Sequence, residues 1–233
     1  MDKVTVILCT FKEKENIKLT LEKLLKFDIY EIIIVDDDSN DGIFDEIKNI
    51  NNDKIKFYQR TKTKGLASAF IYGIMMSTGN FIFRFDVDMY SSIEYFFENI
   101  KNNYNKDLII FSRYVEKGKD ERDNYRRIPS LIINKICQIL LSNNIKDYSS
   151  GIFYFRKNIL KDIIPKNTKY GNFIIEFVFN FILKRKNYIE IPFVQKKSTQ
   201  ENSKSAPNLF KFIYHGILYI ITILNCIILK FKK

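Results

Sequence analysis

Hydrophobic and polar residues alternate in blocks along the first half of the chain, and these blocks predict strands and helices in turn. Short apolar runs rich in β-branched and aromatic residues occur at Val4–Leu8, Glu31–Val35, Lys54–Tyr58 and Phe81–Phe85. Such runs are typical of strands buried in a sheet. Strands that alternate with helical segments predict a parallel sheet joined by crossover helices.

Three segments between these strands have the apolar spacing of helices. They are a segment with Ile17, Leu21, Leu24 and Leu25 on one face, a short one at Ile43–Ile50, and one entered through Gly65 and closed at Gly79. In sheets of this kind, ligands bind outside the carboxyl ends of the strands. We therefore look for chemistry in the residues that follow each strand.

The second half of the chain is less regular. Strands are predicted at Leu108–Phe111, at residues 152–155 and at Tyr188–Phe193, and a charged loop is predicted at residues 116–127. An apolar helix follows that loop, and its residues 131–141 either lie at a bilayer surface or pack as an ordinary core helix. A second apolar segment, residues 171–183, carries a single carboxylate.

The C-terminal segment stands apart in its hydropathy. Between Lys211 and Lys230 lie 18 residues without a formal charge. As a helix they span about 27 Å, close to the roughly 30 Å of a bilayer core. The pattern favours a membrane-spanning helix, with an interfacial or re-entrant helix and a soluble core helix as alternatives. We divide the chain into a catalytic domain, residues 1–205, and a hydrophobic segment, residues 206–233.

The charge and cysteine content of the chain indicate which classes of partner and which cellular compartment to expect. The chain has 233 residues and a formal net charge of +11, which favours anionic partners such as phosphorylated molecules or an anionic membrane. The basic residues are spread along the chain without a nucleic-acid-binding signature, so no nucleic acid is expected. Three separated cysteines without CxxC spacing predict a reducing compartment. No signal peptide is recognised, so we expect the catalytic domain on the cytosolic side of a membrane.

Two acidic clusters follow predicted strands. Asp36, Asp37 and Asp38 end the second strand, where they either form Asx turns or accept hydrogen bonds from a nucleobase or ribose. Asp86 and Asp88 end the fourth strand. Residues i and i+2 of a strand face the same side, so both carboxylates are expected to converge on one divalent cation, Mg²⁺ or Mn²⁺. A helix-capping or loop role is the alternative.

Carboxylates are rarely placed at the end of such an apolar strand unless their charge is offset. For Asp86 and Asp88 we expect that a metal-bound diphosphate, rather than a basic side chain, offsets it.

The ordered set of short motifs resembles family 2 glycosyltransferases, and most closely the dolichyl-phosphate mannose synthase branch. The motifs, over about residues 3–205, are VTVILCTFKEKENI, EIIIVDDDSNDG, KGLASAF, FRFDVDM, FSRYVEKG, RRIPSLIINK, YSSGIFYF, YGNFIIEF and ENSKS. The resemblance implies a GT-A fold, a Rossmann-like mixed α/β sheet flanked by helices, here with a C-terminal hydrophobic helix.

The resemblance also implies roles for particular residues. Nucleotide binding is implied for Thr10, Phe11, Glu13, Asp37, Lys64 and Asp86; metal binding for Asp86 and Asp88; catalysis for Asp88 and Arg113; and binding of the diphosphate and lipid phosphate for Arg126, Ser130 and Lys204. Tyr90 stands where some relatives have a third, amide metal ligand, and water is expected to fill that position.

The implied reaction is metal-dependent transfer of a sugar to dolichyl or polyprenyl phosphate with inversion, at a membrane. GDP-mannose is the first choice of donor and UDP-glucose the second. An alternative keeps the fold but transfers the sugar to an alcohol of a surface glycan. That acceptor needs a general base, for which Glu176 is the candidate.

Overall fold

The computed structural model describes residues 3–162, 171–197 and 209–231. In chain order its strands are β1 (Val4–Thr10), β2 (Glu31–Asp36), β3 (Ile55–Gln59), β4 (Phe81–Arg84), β5 (Leu108–Ser112), β6 (Lys119–Asp120), β7 (Phe153–Arg156), β8 (Tyr188–Pro192) and β9 (Val194–Gln195). The helices are α1 (Lys14–Leu24), α2 (Ile43–Ile50), α3 (Leu66–Met76), α4 (Ile93–Asn102), α5 (Asn124–Leu140), α6 (Phe173–Leu183) and α7 (Leu209–Phe231), with 3-10 helices at Val87–Ser92 and Lys157–Asp162.

Seven of the strands form one mixed sheet in the order β3-β2-β1-β4-β7-β5-β8. β7 runs antiparallel to its neighbours β4 and β5, and the other neighbouring pairs are parallel. Residues Ile32 to Val35 of β2 are fully buried, as expected of a parallel strand covered on both faces. The predicted mixed α/β sheet flanked by helices is confirmed.

The sheet separates two apolar layers. On one face, side chains of α1, α2 and α4 pack against it, including Leu21, Ile47 and Phe96. On the other face, α3, α5, α6 and α7 bury a second cluster, which includes Phe70 and Phe177. Because α7 contributes to this cluster, the C-terminal helix packs on the domain that precedes it.

Three local predictions differ from the structure. Helix α4 was not predicted. Helix α3 ends at Met76 rather than at Gly79, because Ser77 is extended and its hydroxyl donates to the carbonyl of Ile74 at 2.7 Å. The charged loop contains the short strand β6, which pairs in parallel with β9.

Helix α7 is fastened to its neighbours by polar contacts at two points. Asn172 Nδ2, just before α6, donates to Thr222 Oγ1 at 2.7 Å. Lys230 Nζ donates to the carbonyls of Leu140 and Leu141 at 3.2 and 2.8 Å, where the end of α5 leaves carbonyls without helical partners. Helix α7 therefore lies along α5 and α6 over much of its length.

One helix within the described ranges is long and apolar enough to cross a membrane. The qualifying stretch is Ile213–Phe231. Apolar residues are exposed on this helix, such as Ile217 and Ile228, and on its neighbour α5, where Ile132 and Ile139 are 54% and 71% exposed. The two helices together present an apolar face to the surroundings. Helix α5 is therefore not wholly a core helix.

Candidate active site

The carboxyl ends of β1, β2 and β4 meet at one edge of the sheet, and the predicted nucleotide-binding residues lie there. Thr10 Oγ1 donates to Asp36 Oδ1 at 2.8 Å and so joins the ends of β1 and β2. Phe11 follows immediately and is 40% exposed, which leaves its ring accessible for stacking. Glu13, at the start of α1, accepts a hydrogen bond from Asn16 Nδ2 at 3.0 Å.

Asp37 connects the end of β2 to the start of α3. Its Oδ2 accepts from the Gly65 amide at 2.6 Å, and its Oδ1 accepts from Arg60 Nε at 2.8 Å and from a second Arg60 nitrogen. Gly65 has φ of 139°, a region that favours glycine. Both carboxylate oxygens are therefore engaged within the protein, and the nucleoside contact of Asp37 stays a prediction. Lys64, beside it, pairs with Asp38 at 3.2 Å.

Arg60 was not singled out from the sequence. Its position just after β3, the strand next to β2, is the signal that could have found it. Parallel neighbours end at the same sheet edge, so a residue that follows β3 can reach a carboxylate that follows β2.

The two carboxylates of the D-x-D motif are arranged differently from the prediction. Strand β4 ends at Arg84, Asp86 is extended, and Asp88 lies in the 3-10 helix Val87–Ser92. The expectation that both carboxylates share one face of a strand is therefore wrong, because the chain turns into a helix between them. The two aspartates nevertheless line one cavity.

The charge of Asp86 is offset by a basic side chain, contrary to expectation. Arg84, two residues earlier on the same strand, donates to Asp86 Oδ1 at 2.5 Å. A second guanidinium nitrogen donates to the carbonyl of Gly151. The sequence interpretation treated Arg84 only as part of an apolar strand and missed this pairing.

The cavity that contains Asp86 and Asp88 has a volume of about 760 Å³ and extends from the sheet edge to the helices α5 and α7. Of the predicted site residues, Asp86, Asp88, Arg113, Arg126 and Ser130 line it together. Basic and polar residues, including Arg122, Gln195, Lys196 and Lys197, also line it, whereas the helices α5 and α7 contribute mainly apolar side chains. The lining from these helices includes Ile132, Ile133, Ile136, Gly216, Tyr219 and Ile220. The cavity therefore combines charged residues at the sheet edge with an apolar wall formed by α5 and α7.

Arg113, at the end of β5, is 4% exposed and is held by a buried ion pair. Its Nε donates to Asp147 Oδ2 at 2.8 Å, and its NH2 donates to Asp147 Oδ1 at 2.7 Å and to Ser149 at 2.8 Å. Its NH1 donates to Gln195 at 3.2 Å. These contacts make Arg113 a fixed support for Ser149, and its action on a diphosphate stays a prediction.

Ion pairing shifts the pKa values of Arg113 and Asp120. Burial lowers the pKa of Arg113, but the adjacent Asp147 outweighs it, and the pKa is raised overall. Burial raises the pKa of Asp120, but Arg122 and Arg113 outweigh it and hold that pKa at about 2. Arg113 and Asp120 are therefore both ionised at neutral pH.

A hydroxyl and amide network supports the predicted phosphate-binding residues. Ser130 Oγ lies 3.1 Å from Ser149 Oγ and accepts from Tyr114 at 3.0 Å. Asn134, 1% exposed on α5, donates to Ser149 Oγ at 2.7 Å. Sequence reasoning missed Asn134 and Asp147. The only signal for Asn134 is its polar character within an apolar helix, and Asp147 lies in a polar segment that does not distinguish it.

Arg126 sits on the first turn of α5 beside the cavity. Its guanidinium carbon lies 5.5 Å from the Tyr125 ring centroid, and its Nε is buried without a hydrogen-bond partner among the described residues. A buried donor without a partner is costly, so the position suits an anionic ligand. Lys204, predicted to act with it, lies outside the described residues.

The residues present fit a divalent cation that is completed by its ligand. No group of three or more histidine, cysteine, aspartate or glutamate side chains in the described ranges could hold a metal. Asp86 and Asp88 supply hard oxygen donors, and the Asp86 side chain is 47% exposed. Mg²⁺ is commonly bound by one or two carboxylates plus substrate phosphates. Two carboxylates at an open cavity therefore match the number of ligands that a protein usually supplies to this ion.

The family model for Glycosyl transferase family 2 matches residues 5–164. Among curated relatives, the chain is 30% identical over 226 residues to the dolichol-phosphate mannosyltransferase of Pyrococcus furiosus, covering 91% of this chain and 62% of that protein. It is 31% identical over 206 residues to the poly(ribitol-phosphate) beta-N-acetylglucosaminyltransferase TarP of Staphylococcus aureus, covering 81% and 60%. The chain thus spans about three fifths of the length of these two relatives.

Among solved structures, glucosyl-3-phosphoglycerate synthase from Mycobacterium tuberculosis, in complex with Mn²⁺, UDP and phosphoglyceric acid, superposes with a TM-score of 0.72. The alignment covers 97% of this chain and 78% of that one, at 13% sequence identity. At this identity the likeness shows the fold, and the predicted GT-A architecture is confirmed.

Proposed function

Because the chain belongs to glycosyl transferase family 2, we propose that it transfers a sugar from a sugar nucleotide to the phosphate of a polyprenyl or dolichyl lipid, with inversion. The observation that carries this proposal is the two-sided cavity. Its charged end holds Asp86, Asp88 and Arg126, and its apolar end is walled by α5 and α7. A lipid phosphate has the same two-sided chemistry.

The donor would lie at the sheet edge, with its base near Phe11 and its diphosphate near Asp86 and Asp88. These two carboxylates would hold Mg²⁺ or Mn²⁺, which supplies positive charge for the departing nucleoside diphosphate. GDP-mannose is the first choice because of the similarity to a dolichol-phosphate mannosyltransferase. UDP-glucose is the second, because structural neighbours were solved with UDP or UDP-glucose.

The acceptor phosphate would bind at Arg126 and Ser130, with Lys204 as a further predicted ligand. A phosphate oxygen is already ionised near neutral pH, so the reaction needs positioning more than a general base. Arg113 would act through Ser149, which it holds 3.1 Å from Ser130. The side chains of α5 would line the path of the first isoprene units.

The apolar face shared by α5 and α7 would bring the enzyme to the membrane surface. Lys230 of α7 donates a hydrogen bond to the carbonyl of Leu141 at the end of α5. This contact supports an α7 that lies in the membrane interface with the domain, rather than one that leaves the domain to span the bilayer. The catalytic domain is proposed to be cytosolic.

A second candidate, transfer to an alcohol of a surface glycan, is favoured by the similarity to TarP. It requires a general base in the cavity. Glu176, the predicted base, is 6% exposed on α6 and is not among the residues that line the cavity. The polyprenyl phosphate acceptor therefore fits the described residues better.

The test is an acceptor and donor panel. Membranes that carry the protein are incubated with labelled GDP-mannose or UDP-glucose and with polyprenyl phosphate or a polyol phosphate glycan. We expect label in the organic phase only with polyprenyl phosphate. Label in the glycan alone would reject the lipid acceptor and support the second candidate.

A matched pair of variants tests the acceptor site. Arg126→Met should raise the KM for polyprenyl phosphate about tenfold or more, because a charge-assisted contact is lost, and leave the KM for the donor unchanged. Arg127→Met is the control, since Arg127 is exposed and does not line the cavity. Equal effects of both variants would contradict the role of Arg126.

A further inference from the structure

Arg84 places a full positive charge inside an apolar layer of the molecule. The residue is 1% exposed on β4, and its position on the strand puts its side chain on the same face as Ile82, among the aromatic cluster of α3 and α6. Its Nε is buried without a hydrogen-bond partner among the described residues. Burying a guanidinium is costly even when it is paired, so this position calls for an explanation.

Gly151 is part of the space that holds this guanidinium. A Cβ atom at position 151 would overlap Arg84 NH1, and the Gly151 carbonyl accepts a hydrogen bond from that same nitrogen. A side chain at this position would therefore require the guanidinium to move. The turn before β7 is therefore shaped around Arg84.

Two buried arginines of the described chain differ in what their carboxylate partners face. Arg113 pairs with Asp147, whose side chain is fully buried and does not line the cavity. Arg84 pairs with Asp86, whose side chain is 47% exposed and lines the cavity. Of these two, only the Arg84 pair presents its carboxylate to a ligand in the cavity.

We propose that Arg84 is a positioning residue of the donor site, a permanent cation that holds Asp86 and offsets part of its charge. A nucleoside diphosphate is repelled by two carboxylates, and a buried guanidinium is screened less by salt than a surface charge. The site then holds the diphosphate with less dependence on the divalent ion and binds the free ion more weakly. This inference rests on the proposed sugar-nucleotide site.

The first test compares Arg84→Met with Arg84→Lys, which keeps the charge, and with Arg156→Met at the other end of the sheet as control. Free Mn²⁺ binding is measured by electron paramagnetic resonance, and GDP and UDP binding in EDTA by calorimetry. Arg84→Met should bind free Mn²⁺ about tenfold more tightly and the metal-free diphosphate about tenfold more weakly. Arg84→Lys should restore most of both affinities, and Arg156→Met should change neither.

A folded Arg84→Met protein with unchanged affinities for Mn²⁺ and diphosphate would overturn the proposal. If circular dichroism shows that this variant does not fold, Asp86→Asn and Asp88→Asn decide instead. Each removes one negative charge, but only Asp86→Asn releases the charge of Arg84. Asp86→Asn should therefore bind metal-free diphosphate several-fold more tightly than Asp88→Asn does, and equal or weaker binding would overturn the proposal.

The two proposals can fail separately. If the wild-type protein binds neither GDP nor UDP with Mn²⁺ present, the donor site of the proposed function is wrong. The Mn²⁺ titration of Arg84→Met requires no nucleotide, so it still tests whether Arg84 competes with the ion for Asp86.

Discussion

The two ends of the central sheet each carry an acid paired with a base, and the two pairs are built in opposite ways. At the amino end, Glu31 is the buried partner, 2% exposed, while Lys56 is 39% exposed. At the carboxyl end, Arg84 is the buried partner, its side chain 2% exposed, while the side chain of Asp86 is 47% exposed. The charge that faces outward is thus positive at one end and negative at the other.

Both carboxylate oxygens of Glu31 accept hydrogen bonds from neighbouring residues. Its Oε1 accepts from Thr5 Oγ1 at 2.7 Å, from the Thr78 amide at 2.6 Å and from the Gly79 amide at 3.2 Å, while Oε2 accepts from Lys56 at 2.6 Å. A carboxylate with so many donors has its charge compensated within the protein. Glu31 therefore connects β1, β2 and the loop before β4, and serves the fold.

Asp86 has fewer fixed contacts and faces the cavity. Burial of a carboxylate is therefore a poor guide to function in this molecule. The more buried acid is structural, and the acid whose partner is buried beneath it remains available to a ligand. Four substitutions or measurements test this contrast, and the largest expected effect comes first.

Asp88→Asn removes an exposed carboxylate from the carboxyl end. We expect sugar transfer to fall about 10²- to 10³-fold, because a charge that would help hold the metal and diphosphate is lost. The free energy of unfolding should stay within about 0.5 kcal/mol of wild type, as for most surface substitutions. Transfer assays and urea denaturation measure the two effects, and wild-type transfer would contradict the site.

Glu31→Gln tests the opposite end. The variant should lose about 1–3 kcal/mol of stability, since one buried oxygen acceptor becomes a donor facing other donors. Its kcat/KM for transfer should be unchanged when corrected for folded protein. A fall in transfer without a fall in stability would mean that the amino end takes part in the reaction.

The free energy of unfolding should depend on pH because the pKa of Glu31 is lower in the folded protein than in the unfolded chain. Burial raises the pKa of Glu31, but Lys56, Thr78 and Thr5 outweigh it and lower the pKa from 4.5 to about 2. Between these values the unfolded chain binds more protons than the folded protein, so the free energy of unfolding falls as pH falls from about 4.5 to 2.

Glu31→Gln should flatten part of this slope, and Asp120, whose pKa is about 2 as well, should account for another part. Denaturation of wild type and variant at several pH values measures the difference. Identical slopes would show that folding does not lower the pKa of Glu31.

Thr78→Val is the smallest change. It removes the hydroxyl that donates to Glu31 at 3.1 Å but keeps the amide that donates at 2.6 Å. We expect a loss of about 1 kcal/mol or less of stability and no change in transfer. A larger loss, measured by denaturation, would show that the amide contact fails without the hydroxyl.

Much of the fold was predictable because its first half is locally coded. The apolar run at Glu31–Val35 became β2, and Ile43–Ile50 became α2 with the same bounds. The strands β6 and β9 were not predictable, because two-residue strands are stabilised by each other across 70 residues or more rather than by their own sequence. Helix α4 was missed although its apolar spacing is helical.

The candidate site was predictable in its members but not in its connections. The motif order indicated Asp86, Asp88, Arg126 and Ser130, which line one cavity. It did not indicate that Arg84 pairs with Asp86 or that Arg60 pairs with Asp37. Each pairing depends on which strands become neighbours and where each strand ends.

Residue type and short spacing are enough to specify the alternation of strands and helices, the acids that follow the strands, and the apolar C-terminal helix. Which charges are paired within the protein, which of them face the cavity, and the packing of α7 against α5 and α6 become known only from the three-dimensional structure. Those outcomes depend on contacts between residues far apart in the chain, where packing sets the local dielectric and the available hydrogen-bond partners.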